Sequence, residues 1–228
     1  MLQPFAPDLW LADGPPITAA LGFPYPTRMA VIRLAGGDLV LWSPVAFDPA
    51  LHDQIAALGR IAHLVAPNAL HHMALPDWAE ASPGALIHPA PGLRAKRPGL
   101  ALAADLGDTP APGWAGQIDT ILLPNRIAPE VWLHHRASGT LLVADLLQQM
   151  PRGWYRGWRA LVAGLDGMTG PEPAVPRKFR LATNRPATKA ALARVLADPP
   201  QHVVMAHGPP VRGDAPALLT RAFAWLAG

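Results

Sequence analysis

RIAHLVAPNALHHMALPDWAE, residues 60 to 80, reads as a strand, a turn and a helix, and this unit decides the fold. The apolar run up to Val65 has strand length, and a helix carrying Trp78 follows to about Ala81. His71 and His72 fall in the turn between them. They are either metal ligands or a polar turn that caps the helix and bonds backbone. Working outward, residues 28–34 and 39–42 form a hairpin across Gly36, Gly37 and Asp38. Ser43 and Pro44 leave the second strand, and residues 49–58 form a helix stopped by Gly59. Nearer the N-terminus, Leu9 to Leu11 is a short strand and residues 13–16, Asp-Gly-Pro-Pro, a turn.

Downstream, residues 85–88 and 118–123 are strands, and residues 130–135 and 140–145 form a second hairpin. Residues 146–165 are expected to be mostly helical, with a break near Pro151. A helix over 186–196, a strand over 201–206 that ends at His207-Gly208, and a helix over 216–226 complete the chain. Hairpins and crossover helices in two halves fit a layered α/β sandwich better than an all-parallel sheet.

Composition narrows the function classes. With 50% hydrophobic and 15% charged residues, the 228-residue chain is expected to fold compactly as one domain, residues 1–228. The 28 prolines are scattered through apolar runs and build no recognition array. The formal charge is only +3, and local basic character is confined to residues 94–97, 152–159 and 177–180. Residues 152–159, Arg-Gly-Trp-Tyr-Arg-Gly-Trp-Arg, partly fit an RNA-binding surface. They fit better the start of an amphipathic helix that buries Trp154, Trp158 and Leu161 while its arginines reach to water. There is no cysteine, which excludes disulfides and thiolate metal sites. No apolar run reaches the ~20 residues of a membrane-spanning helix, and the N-terminus lacks the pattern of a signal peptide. The expectation is a soluble cytoplasmic protein with a small-molecule ligand and with neither a membrane nor a nucleic-acid partner. A homo-oligomer stays open.

Five positions end a strand or begin the loop after it: Ser43, the pair His71 and His72, Asn125, Asp145 and His207. Such loops collect ligand sites, because the sheet fixes their origin while packing leaves them free. Three imidazoles and a carboxylate are also the donor set of a divalent transition metal. The spacing is not local, so no short motif adds weight. Each residue has a plainer reading too. Asp145 can be a turn acid, His207 with Gly208 a tight turn, and Asn68 an Asx-turn. Glu130 reads as a solvated strand-start acid or as a carboxylate supporting the Asp145 end. Pairing Arg136 with Thr140 sets Asp145 opposite Val131 and leaves His135 roughly 14 Å or more away, at ~3.4 Å per residue. Trp42 and Trp78 are the tryptophans best placed to wall a pocket.

The stretches LVLWSP (39–44), APNALHH (66–72), LHHRASGTLLVAD (133–145) and VMAHG (204–208) resemble DUF4336, a divergent branch of the metallo-β-lactamase-like superfamily, over nearly the whole chain. The resemblance implies a four-layer αββα sandwich. It also implies a metal centre that has been cut down. The superfamily motif His-x-His-x-Asp-His places its first two histidines on Pro67 and Ala69, its aspartate on His71 and its last histidine on His72. A further histidine of the first pocket falls near Asn125 or Arg126. The second pocket then comprises His71, His72, Asp145 and His207, with Ser43, Asn68, Asn125 and Trp78 lining it. One divalent ion is implied, zinc first, with iron or manganese allowed by the donors.

The resulting expectation is a metal-dependent hydrolase-like protein with Asp145 or Glu130 as base, acting on a small ester, lactone or phosphoester. The alternative is a ligand-binding protein on the same fold that has lost turnover. An RNA-associated module is a third reading, resting on the basic segment alone. Residues 150–180 match no superfamily motif and are expected to cover the metal end.

Overall fold

The computed structural model describes residues 1–227. Its first half contains strands β1 (Gln3–Ala6), β2 (Leu9–Thr18), β3 (Pro24–Arg33) and β4 (Asp38–Trp42). Helix α1 (Pro49–Ala56), β5 (Arg60–Ala66), α2 (Leu75–Ala81), β6 (Leu86–Pro89) and α3 (Leu93–Lys96) follow. The second half contains β7 (Ile118–Leu123), β8 (Glu130–His135) and β9 (Thr140–Val143). It continues with helices α4 (Trp158–Asp166), α5 (Arg177–Ala182) and α6 (Arg185–Ala197), then β10 (His202–Met205), β11 (Val211–Arg212) and α7 (Ala215–Ala222).

The strands make two sheets, ordered β1-β2-β3-β4-β5-β6 and β11-β10-β9-β8-β7. Side-chain alternation explains why they stack. Val40 and Trp42 point into a core shared with Val131, Leu133, Leu142 and Val204 of the other sheet. The residues that alternate with them, Leu39 and Leu41, pack instead on Ile55, Leu75 and Trp78 of α1 and α2. On the second sheet Leu141 and Val143 likewise turn outward to Phe179, Val195 and Leu219. Strands buried on both faces read as unbroken apolar runs, and the four layers are the αββα sandwich.

Local chemistry sets the helix starts. Asp48 accepts the Leu51 N–H at 3.0 Å at the start of α1, and Asn184 accepts the Ala187 N–H at 3.2 Å at the start of α6. Each cap is followed within two residues by a proline, which needs no intrahelical donor there. The turn after α1 lies against the β3–β4 turn so closely that a Cβ on Gly59 would be 2.1 Å from the Gly37 carbonyl oxygen.

Four expectations need correction. β2 does not stop at Leu11 but runs ten residues, pairing Asp13 with Arg28 and, after an irregularity over Pro15 and Pro16, Ile17 with Tyr25. Prolines are tolerated there because a bulge demands no ladder donor. Residues 146–157 are irregular, and only Trp158–Asp166 is helical. Pro151 and the glycines at 153 and 157, with φ of 77° and 57°, break the run. The β8–β9 hairpin loop is one residue longer than expected. Arg136–Ser138 forms a 3-10 turn, Gly139 takes a φ of 57°, and His135 pairs with Thr140. The same register carries Asp145 to the level of Glu130, not Val131. Finally, Trp158 and Leu161 are exposed, at 52% and 67%, where burial was expected.

Candidate metal centre

β4 and β5 run parallel in one sheet, and β9 and β10 run parallel in the other. The loops leaving their carboxyl ends therefore emerge at one edge of the sandwich. They bring Ser43, His71, Asp145 and His207 together there. β8, antiparallel to β9, begins at this edge and delivers Glu130, while β3 supplies Tyr25 and Pro26.

The contacts form a chain. Ser43 Oγ lies 2.7 Å from His71 Nδ1, and His71 Nε2 lies 3.2 Å from Asp145 Oδ2. His207 Nε2 faces the other carboxylate oxygen, Asp145 Oδ1, at 3.4 Å. The two imidazole rings are 5.1 Å apart at 41°. Donor atoms of His71, Asp145 and His207 all lie within 4.8 Å of one another. Ser43, Asp145 and His207 are buried, and His71 reaches the surface only slightly.

The hydrogen bonds behind the rings fix which nitrogens point inward. His207 Nδ1 is 2.7 Å from the Pro26 carbonyl, which can only accept, so that nitrogen carries a proton. In neutral His207, Nε2 is then a bare lone pair facing a carboxylate oxygen. Two acceptors at that distance repel each other unless a cation lies between them. A proton on His207 can be that cation, and so can a metal ion. Donors around a tetrahedral Zn2+ sit about 3.3 to 3.5 Å apart, given metal–nitrogen and metal–oxygen bonds of about 2.0 to 2.2 Å. The observed 3.2 and 3.4 Å, each to a different oxygen of Asp145, are close to that spacing. The residues fit a divalent ion.

Asp145 is held by its surroundings. Burial alone would raise its carboxyl pKa, but the His207 and His71 imidazoles override that and hold it well below the usual range. Asn68 Nδ2 donates to Asp145 Oδ2 at 2.8 Å, and Gln148 Nε2 donates to Oδ1 at 3.0 Å. Beneath it sits Glu130, fully buried. Its carboxylate accepts the backbone N–H groups of Ala144 at 2.9 Å, Asp145 at 2.7 Å and Leu146 at 3.2 Å. Trp132 Nε1 and Asn68 Nδ2 add bonds of 2.9 and 3.0 Å. Burial and the Asp145 charge push the Glu130 carboxyl up, against these donors. Its lone pairs are committed to holding the loop, so it is a support for Asp145 and not a free base.

The remaining expected residues divide clearly. Asn68 makes the Asx-turn, accepting from Leu70 N at 2.8 Å, and bridges Glu130 to Asp145. His72 turns away from the cluster: Arg97 Nη1 donates to its Nδ1 at 3.0 Å, and burial with the nearby Lys96 and Arg97 charges lowers its pKa. Asn125 is turned to α5: it donates to the Phe179 carbonyl and the Thr183 hydroxyl at 2.9 and 3.1 Å and so ties the end of β7 to that helix. Trp78 is fully buried under α2, with Nε1 on the Val45 carbonyl at 2.7 Å, and is core rather than pocket wall. Two residues that alternate along one strand were separable by pattern, but two adjacent histidines in a turn were not. The pairing used to set His135 aside was off by one residue, but His135 still lies at the far end of the hairpin, bonded to Ser138 Oγ at 2.8 Å inside the turn.

Tyr25 is the neighbour that sequence reasoning missed. Its ring packs on His207 at 5.1 Å, and burial raises its pKa. Its place in a strand separated from Asp145 by more than a hundred residues gave no signal. Tyr25 also touches the small core of Phe23, Met150, Tyr155, Ala163 and Met168, through which residues 150–168 lean on this end of the sandwich. Next to it opens a cleft of about 620 Å³. Its walls include Pro26, Arg28, Met150, Arg152 and Trp154, together with Gly208, which follows His207 in the chain.

No family model matches the chain, and no curated protein matches it. Solved structures do. The metallo-β-lactamase FIM-1 from Pseudomonas aeruginosa, described in a mono-zinc form, superposes with a TM-score of 0.64 at 14% identity, covering 100% of this chain and 96% of its own. A metallo-β-lactamase from Pontibacter korlensis gives 0.63 at 12% identity, covering 100% and 99%. A metal-soaked flavodiiron core, Flv1 from Synechocystis, gives 0.64 at 16% identity over 100% of this chain. The present chain spans only 60% of the length of that flavodiiron protein. At these identities the likeness is one of fold, and the chain is a metallo-β-lactamase-like αββα sandwich.

Proposed function

We propose that this protein is a hydrolase dependent on one divalent metal ion held by His71, Asp145 and His207. The observation that carries the reading is the convergence of His71 Nε2, His207 Nε2 and the Asp145 carboxylate, with the His207 ring turned toward Asp145 by its Nδ1 bond to the Pro26 carbonyl. Three protein ligands, rather than the four expected with His72, leave a coordination position open, as in catalytic zinc sites. Zinc suits two imidazoles and a carboxylate, and so does ferrous iron. A divalent ion bound there supplies Lewis acidity toward a carbonyl or phosphoryl oxygen and toward water.

The protein's own residues do the positioning. Ser43 fixes the His71 ring, Pro26 fixes His207, and Asn68 with Gln148 orients the two oxygens of Asp145. Such partners set ring tautomer and ligand basicity. The half-buried Tyr25 ring covers one side of His207. Of the two carboxylates, Asp145 is the one within reach of a substrate, and Glu130 acts through it. A small ester, lactone or phosphoester is the substrate class we assign, with placement in the DUF4336 branch; both rest on the motif resemblance. The adjoining apolar cleft suits the uncharged body of such a molecule.

A second reading has its own support. Pro67 and Ala69 stand where active relatives in the superfamily keep histidines, which fits a protein that binds its ligand without turnover. Zinc-, iron- and manganese-loaded protein should be assayed on ester, lactone and phosphoester panels beside Asp145→Ala and His207→Ala. Activity in the wild type that falls at least about 100-fold, or about 2.7 kcal/mol, in both variants supports the hydrolase. Equal background in all three, with metal still bound by the wild type, would establish the binding protein instead.

A further inference from the structure

Helix α4 presents an apolar stripe to water. Trp158, Leu161, Val162 and Leu165 recur at three- and four-residue intervals and so share one helix face. Their exposures run from 43% for Val162 to 67% for Leu161. Only Ala163 of the nine-residue helix is buried against the satellite core. Beside the stripe stands the β2–β3 tip, where Leu21 is 78% exposed. The tip is locked to the helix: Arg159 donates to the Leu21 carbonyl, and Phe23 packs edge-on against Trp158 at 5.5 Å. Tip and helix therefore form one rigid surface.

The rim of that surface is mainly basic. Residues 149–165 contain Arg152, Arg156 and Arg159, and the acid that ends the helix, Asp166, is largely buried and paired with Lys178. Among the described residues, no carboxylate lies within ion-pairing distance of Arg152 or Arg156. Arg159 stacks on the Trp158 ring, 4.7 Å from its centre, and lies along the stripe's edge.

We propose that this face docks on an anionic lipid surface, with Trp158, Leu161, Leu165 and Leu21 entering the interface and Arg152 and Arg156 meeting the headgroup phosphates. A short amphipathic helix with tryptophan and leucine on one side and arginine at its margin is the pattern of interfacial binding. Side chains this exposed stand out as a ridge, and a ridge enters a fluid bilayer more readily than it fills a groove. A second copy of the chain is disfavoured, since a two-fold pairing of the stripe would oppose arginines with arginines. None of the described helices is long and apolar enough to cross a membrane, so the contact is peripheral. Arg152 also lines the cleft beside His207, which puts the docking face next to the mouth of the candidate site.

The test is flotation of the full chain, metal-free, with vesicles of phosphatidylcholine alone and of phosphatidylcholine mixed with phosphatidylglycerol. Metal-free protein keeps the result independent of the hydrolase reading. Binding to the anionic vesicles only is expected, weakened about 5-fold for each of Arg152→Ala and Arg156→Ala. The double variant Leu161→Glu with Leu165→Glu should not float. Both positions are exposed, so thermal unfolding should be unchanged. The arginine variants, which leave the stripe intact, give an independent check. Four results would each overturn the proposal: no flotation, equal flotation with neutral vesicles, salt-sensitive binding to an RNA oligonucleotide in place of vesicles, or a dimer that Leu161→Glu dissociates.

Discussion

Glu130→Gln should destabilise the protein by about 3 kcal/mol, because this side chain is a hub rather than a base. The amide keeps the size and shape of the carboxyl group, so packing is not the issue. Its NH2 must replace one oxygen. Placed at Oε1, it meets the Ala144 N–H and the Trp132 Nε1–H, which now sit 2.9 Å from a donor. Placed at Oε2, it meets the Asp145 N–H, the Leu146 N–H and the Asn68 amide instead. The first arrangement loses less: two hydrogen bonds to a charged acceptor, each worth about 1.5 to 3 kcal/mol. Against this, the variant no longer buries a charge, which returns part of the loss. The net of about 3 kcal/mol corresponds to a drop of roughly 6 to 12 °C in Tm for a chain of this size. Urea unfolding monitored by tryptophan fluorescence gives the free energy directly. A loss below about 1 kcal/mol would refute the hub, since it would mean these buried N–H groups find other partners without cost.

Acid should weaken the fold through the interior pair His63 and His88, whose rings meet with Nδ1 and Nε2 at 3.0 Å beside Trp114. Burial, followed by His63, lowers the His88 pKa from 6.5 to about 4, so the unfolded chain takes up a proton that the folded chain refuses. The stabilisation is complete above pH 6.5 and is lost as pH falls toward about 4. The loss is about 2 to 3 kcal/mol. Denaturant midpoints across that window should show it, and a midpoint insensitive to pH there would contradict it. Ser43→Ala should lower metal affinity about 10- to 100-fold by freeing the His71 ring. Calorimetric titration with Zn2+ measures this, and unchanged affinity would remove Ser43 from the site's support. Its φ of 53° is costly for a residue with a side chain, so stability should change little or improve slightly when Ser43→Gly is made.

Alternation and turn chemistry made most of the sandwich legible. The apolar runs at 28–34, 39–42, 60–65 and 118–123 are strands because both of their faces are covered, and Asp48 with Pro49 marks a helix start that any reader can find. Two kinds of element stayed hidden. β1 and β11 are short, and they pair only because a neighbouring edge is open. The outer half of β2 is rich in proline, and its strand character comes from β3 alone. Chain direction alone placed His71, Asp145 and His207 at strand ends, and tertiary structure joined them. What the sequence could not express was orientation. His71 and His72 are adjacent, equally good ligands, and only Arg97, 25 residues on, decides which one turns away. Glu130 looked like an exposed acid because its five donors come from three separate segments. Trp158 and Leu161 looked like core because helical periodicity reports a face and not what covers it.

The most direct measurement is the metal content of protein reconstituted with Zn2+ and desalted, for the wild type beside His207→Ala and His72→Ala. One equivalent in the wild type and in His72→Ala, with none retained by His207→Ala, is the predicted result. Metal lost from His72→Ala and kept by His207→Ala, or no metal in the wild type, would contradict a centre built on His71, Asp145 and His207.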